Sequence, residues 1–211
     1  MKYFIAASLV IFIINASNAQ TKLGLKLTSS IITQRVYNTQ DSINIENGSN
    51  AFNPSITFLI DMPLSNNYFF STGIGYISKR VNLKINKTGV DFSQTKSYNI
   101  QYIQLPATLK LYTNEIALDK KLYFQFGPII EFPIHKKEND NNFQVINKIQ
   151  PADVTLMFGA GIEFQLAPQT AVQVGINYSR GLINIVSESQ FIDGNLVIKN
   201  DLYGIDIAVK F

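Results

Sequence analysis

From Val154 to Phe164 the chain alternates without a break. Its even positions, Val154, Leu156, Phe158, Ala160, Ile162 and Phe164, are all apolar, and its odd positions are Thr155, Met157, Gly159, Gly161 and Glu163. Successive side chains of a strand point to opposite sides, so a period of two marks a strand with two unlike faces. The same pattern predicts strands near 22–33, 53–62, 68–81, 98–112, 121–136, 152–166, 170–183 and 201–211, and almost no stretch carries helical periodicity. The fold class is all-β.

The connections between these strands alternate in length. Those at 34–52, 82–97, 137–150 and 184–200 are long and rich in Asn, Asp, Lys and Ser. Those at 63–67, 113–120 and 167–169 are short, with turn residues such as Ser65-Asn66-Asn67 and Ala167-Pro168-Gln169. An antiparallel meander puts every long connection at one end. Membrane barrels have this layout, with short periplasmic turns and longer extracellular loops. A water-soluble sandwich also alternates, so the two faces must be compared.

One face carries nine of the twelve glycines: Gly24, Gly73, Gly75, Gly127, Gly159, Gly161, Gly175, Gly181 and Gly204. Glycine weakens a strand and marks crowding or close backbone approach, which suits the filled interior of a narrow barrel. The same face carries Lys22, Lys26, Lys79, Lys110 and Lys210 against Asp61, Glu131, Asp153, Glu163 and Asp206. Such balance suits an enclosed space in which charges pair, and these ten residues form a candidate lumen network. The other face is apolar, as in Leu122, Phe124, Phe126, Ile130, Phe132 and Ile134. Tyr68, Tyr76, Tyr98, Tyr112, Tyr178 and Tyr203 lie toward strand ends, where barrels carry aromatic girdles. The expectation is an eight-stranded antiparallel up-and-down transmembrane β-barrel, with a lumen only wide enough for side chains.

The N-terminus reads as an address. Lys2 precedes an apolar run from Tyr3 to Ile14, and Ser17-Asn18-Ala19 supplies small residues for cleavage after Ala19. Twelve helical residues span about 18 Å, short of the roughly 30 Å hydrocarbon core. The expected division is a signal peptide over 1–19 and a barrel domain over 20–211, in the outer membrane of a Gram-negative bacterium. Composition excludes several functions. With 18 Lys+Arg against 15 Asp+Glu, the chain is too balanced for a dedicated nucleic-acid binder. It has no cysteine and one histidine, which removes thiolate chemistry and multi-histidine metal sites.

Several motifs, in this order, carry a family resemblance. They are Phe70-Ser71-Thr72-Gly73-Ile74-Gly75-Tyr76, Tyr102-Ile103-Gln104-Leu105-Pro106 followed by Leu109-Lys110-Leu111-Tyr112, and Tyr123-Phe124-Gln125-Phe126-Gly127-Pro128. Phe158-Gly159-Ala160-Gly161-Ile162-Glu163, the run from Tyr178 to Ile185, and the run from Gly204 to Phe211 complete the set. Over most of the mature length the chain resembles the PorT-like family of small outer-membrane β-barrel proteins. The resemblance implies folding by the outer-membrane assembly machinery. It makes the last strand, with Tyr203, Ile205, Ile207, Val209 and Phe211, the signal which that machinery reads. Founding members are linked to a protein-secretion apparatus. The family has no catalytic motif to transfer.

Little else in the chain suggests chemistry. His135 shares parity with Glu131 and could stand near Asp153, which leaves a barrel hydrolase as an alternative, but a structural histidine is the more common outcome. Asp140-Asn141-Asn142 resembles part of a calcium loop but lacks the required Gly and Glu, and no cofactor or metal is expected. Arg80 and Arg180 fall on the outward face near the long connections. They suit contact with lipopolysaccharide phosphates, or snorkelling to the interface. The expected role is non-enzymatic: adhesion, docking of an unknown extracellular or envelope protein, or envelope integrity, with outer-membrane lipid and lipopolysaccharide around it. Other possibilities are a secretion accessory and, with the faces inverted, a soluble ligand-binding β-barrel.

Overall fold

A computed structural model describes residues 21–37, 43–87, 93–138, 146–189 and 196–211. The signal segment 1–19, the Asp140-Asn141-Asn142 motif, Gly89 and Gly194 lie outside them. The strands are β1 (Lys22–Tyr37), β2 (Ile43–Asn47), β3 (Ala51–Ser65), β4 (Tyr68–Lys87), β5 (Ser93–Ala117), β6 (Lys120–Glu138), β7 (Ile146–Ile149), β8 (Asp153–Ala167), β9 (Thr170–Gly181), β10 (Val186–Ser189) and β11 (Val197–Lys210).

Strand β1 has a partner on both edges. Lys22 faces Asp61 of β3, and Gly24 faces Lys210 of β11, so the last strand returns to the first. Backbone bonds between Leu23 and Phe211, at 3.1 and 2.9 Å, finish the seam. The ring runs β1-β3-β4-β5-β6-β8-β9-β11, antiparallel throughout, and closure leaves these eight strands without an unpaired edge.

Six of the eight barrel strands are longer than the sequence pattern predicts. β4 continues to Lys87 and β5 begins at Ser93, so the connection expected at 82–97 is largely a paired hairpin, with Asn86 opposite Ser93. Alternation persists there, through Val81, Leu83 and Ile85, beneath the Asn and Lys residues that read as loop. The connection at 34–52 holds β2, which extends the edge of β4 beyond the start of β3. Those at 137–150 and 184–200 hold β7 and β10, which pair with each other as a separate two-stranded sheet.

Two local features redirect the ladder. Pro106 has no N–H to donate, and pairing is interrupted on both of its flanks. Gly73 and Gly127 stand at those interruptions with φ near +150°, where any side chain would strike a neighbouring carbonyl. Farther along, the register between β5 and β6 slips by one, from Tyr102 opposite Pro133 to Gln101 opposite His135. This bulge reverses parity beyond it. His135 is therefore exposed on the outer face opposite Gln101, whereas Glu131 is buried inside. The shared face expected of these two residues is not formed.

The interior has two storeys. Toward the short turns it is polar and charged. Toward the long connections it is mainly apolar, with Val81, Leu83, Ile100 and Ile198 fully buried in one cluster that also takes in Ile45 of β2, Ile146 of β7 and Val186 of β10, and with Gln34, Asn82, Lys96 and Asn200 buried at the same level. Tyr98 belongs to this cluster and Tyr112 to the polar storey, so these two tyrosines face inward and not toward lipid.

Candidate functional site

The polar storey is organised around Asp61 of β3. Its carboxylate lies 2.9 Å from Lys110 of β5 and 3.2 Å from Lys210 of β11, and accepts a 2.5 Å bond from the Ser71 hydroxyl. Lys210 also lies 2.6 Å from Glu163 of β8 and donates to the Tyr112 hydroxyl at 2.7 Å. Tyr112 in turn donates to Glu163 at 2.9 Å, and the Gln173 amide donates to both. Two lysines thus balance two carboxylates, all within 5% of full burial. Such pairs repay the desolvation of their charges only when the remaining hydrogen bonds are also made, as they are here.

A second cluster lies nearer the long connections. Lys79 of β4 donates to Glu131 of β6 and is 3.6 Å from Asp153 of β8, which stands directly opposite Glu131. The Gln104 amide donates to the other Glu131 oxygen at 2.6 Å. A cavity of about 40 Å³ beside Glu131 is lined by Lys26, Thr28, Thr57, Gln104 and Asn177, which is room for a few waters. Asp206 accepts a 2.5 Å bond from Thr28. Eight of the ten charged residues singled out in the sequence are buried in this storey, seven of them in the two ion-pair clusters. Lys22 and Lys26 are only half-buried and make no ion pair among the described residues.

Above these clusters the lumen is filled by the apolar storey. Lys79 lies 4.9 Å from the Tyr102 ring centre and Lys136 lies 5.3 Å from that of Tyr98, so aromatic faces cover these two cations. The sequence reading missed this storey. Its signal was present in the apolar residues within the long connections, such as Ile45, Ile146 and Val186.

The outer face is apolar over a broad band. Phe58, Phe124, Phe126, Ile176 and Ile207 are all exposed. So are Tyr203, Ile205, Val209 and Phe211, which keep the outward parity of the last strand. In a water-soluble protein so large an apolar surface would be a liability, whereas in a bilayer it is the required surface. Tyr178 and Tyr203 meet at 5.0 Å near the long-connection end of this band. Arg80 and Arg180 are exposed at the same end.

A family model described as "Outer membrane protein beta-barrel domain" matches residues 15–187. The chain belongs to this family. Among curated proteins, none matches it in sequence. The fold of this outer-membrane barrel is similar to that of OprG from Pseudomonas aeruginosa, with a TM-score of 0.52, 13% identity, and coverage of 92% of this chain and 97% of that one. Neisserial surface protein A scores 0.45 at 9% identity, covering 89% of this chain and 97% of its own. The outer membrane protease OmpT from Escherichia coli scores 0.47 at 10% identity, covering 90% and 96%. The inverted, soluble alternative is set aside: this barrel turns its charges inward and its apolar residues outward.

Proposed function

We propose that this barrel is closed and non-enzymatic, and that it acts at its long-connection end, outside a Gram-negative cell, by docking an extracellular or envelope protein. Adhesion and envelope integrity are alternative roles for the same end of the barrel. The observation that carries the reading is the apolar storey. It fills the upper lumen and ties β2, β7 and β10 to the barrel wall, so that these short strands form a fixed platform at that end. Loops on a rigid scaffold commonly carry binding function. The outward position of His135, away from Glu131 and Asp153, favours this reading over a hydrolase. Within the family we place the chain in the PorT-like branch on the motifs quoted above, without carrying over a secretion role. Met1–Ala19 is taken as the cleaved signal peptide, and the stretch from Tyr203 to Phe211 as the mark read by the assembly machinery.

The test is a pair of measurements. In planar bilayers the purified barrel is expected to give no step conductance. On cells, replacing Lys148 and Glu188, an exposed ion pair on the β7–β10 sheet, by residues of opposite charge is expected to abolish capture of a crosslinked surface partner while the barrel still folds. Ohmic conductance, or capture unchanged by substitutions across that sheet, overturns the reading.

A further inference from the structure

The outer surface of β8, β9, β11 and β1 is ordered in rows, because directly paired residues share a face. The row nearest the long connections places Lys199 opposite Arg35. The next runs Leu156, Arg180, Asp201, Thr33, and the one below it Phe158, Tyr178, Tyr203, Ile31. Below that stand Ala160, Ile176, Ile205 and Ser29. Consecutive rows on one face are about 6.6 Å apart.

In the two upper rows three cations surround one carboxylate. Arg35 holds Asp201 through two bonds, at 2.8 and 3.0 Å, and also donates to the Gly181 carbonyl at 2.7 Å. Asp201 is thereby neutralised. Arg180, on the other flank of Asp201, is exposed and has no ion pair among the described residues, and neither has Lys199. The patch therefore has an excess of positive charge, held at the edge of an apolar belt.

Directly below it the wall is recessed. Ala160 is the smallest outward residue of its row, between the large side chains of Phe158 and Ile162 on its own strand. Phe158, Tyr178 and Tyr203 stand above it, and Ile176 and Ile205 beside it. Together they bound an open groove of about 520 Å³. The groove is apolar and faces hydrocarbon, so its natural occupant is an acyl chain. Arg180 stands one row above the aromatic rim and Lys199 two, at the depth of a headgroup, and Arg matches phosphate through paired N–H donors.

We propose that this face binds one molecule of lipopolysaccharide, a phosphorylated and acylated glycolipid of the outer leaflet, with a phosphate on Arg180 and Lys199 and one acyl chain in the groove over Ala160. The inference rests on the orientation given under the proposed function, because it places the long-connection end in the outer leaflet. It is specific to one side of the barrel. Arg80 lies on β4, across the barrel wall from this groove, beside Asn99 of β5.

The experiment uses the full barrel refolded in detergent and titrated with fluorescent lipopolysaccharide, with folding followed separately by heat-modifiable migration. Arg180→Gln is expected to weaken binding about tenfold, the scale of losing a charge-assisted hydrogen bond. Ala160→Leu, which fills the groove and leaves every charge in place, is expected to weaken binding by a similar factor, with Ala160→Val as the milder version should the leucine variant not fold. Arg80→Gln is expected to bind as the parent does. Dephosphorylated lipopolysaccharide should bind weakly, and inorganic phosphate should compete poorly. Unchanged binding in folded Arg180→Gln or in the folded groove variant overturns the proposal. So does an equal loss in Arg80→Gln, efficient competition by inorganic phosphate, or equal affinity for phosphatidylglycerol micelles. Because this assay is made in detergent with a defined lipid, it can fail while protein docking at the β7–β10 sheet succeeds, and the reverse.

Discussion

The ammonium of Lys210, the penultimate residue, lies 2.6 Å from the carboxylate of Glu163 inside the closed ring. The same ammonium reaches Asp61 at 3.2 Å, so the last strand is tied to β3 and β8 at once. The charges differ in how replaceable their partners are. Without Glu163, Lys210 keeps Asp61. Without Asp61, Lys110 loses its ion pair altogether, and two ammonium groups face each other in the lumen.

Asp61→Asn is accordingly expected to cost the most, about 3–5 kcal/mol, the scale of an uncompensated buried charge. Glu163→Gln should cost less than that. Glu188→Gln removes an exposed pair with Lys148 and should change stability by about 0–1 kcal/mol. Urea unfolding of the three variants in detergent checks the order. Equal and small effects would mean a hydrated lumen in which pairing matters little.

Neighbouring glycines of β8 are expected to behave differently. A Cβ at Gly161 would strike the Val174 carbonyl and approach the Tyr123 hydroxyl at 2.6 Å, whereas at Gly159 it would meet Met157 at 3.5 Å and Asn177 at 3.7 Å, ordinary contacts. Gly161→Ala should impair folding to the heat-modifiable form, Gly159→Ala should not, and Ala160→Leu, on the lipid face, should fold. Impaired folding of Ala160→Leu alone among the three would contradict the assignment of faces.

Ile146 anchors β7 in the apolar storey and is completely buried. Ile146→Ala should cost about 2–5 kcal/mol locally, as large-to-small core changes do. The β7–β10 sheet should then be nicked by protease on intact cells, where the parent resists. Equal resistance would show that the sheet is held by something other than this cluster.

Orientation is open to labelling. Asn50, beyond β2, and Asn66, in the β3–β4 turn, are both exposed and lie at opposite ends of the barrel. An epitope inserted at Asn50 should be reached by antibody on intact cells, and one at Asn66 only after the outer membrane is opened. The reverse pattern would invert the topology, and with it the docking role.

The number of barrel strands, their up-and-down order and the face taken by most residues of the central ladder were determined by the sequence itself. Period-two alternation is a local property that each strand expresses on its own, and the long-short rhythm of connections orders the strands without any knowledge of contacts. Inward glycines and charges were legible for the same reason. Only the tertiary structure decided which charges meet. Lys110 and Lys210 reach Asp61 across 49 and 149 residues of chain, and those pairings follow from register and closure. It also decided the apolar storey, because Ile45, Ile146 and Val186 sit in short strands among polar residues and acquire a buried face only when the barrel mouth receives them. The position of His135 belongs to the same class. A single bulge against β5 reverses parity over the last residues of β6, and no count along the chain reveals where a partner strand will force the extra residue.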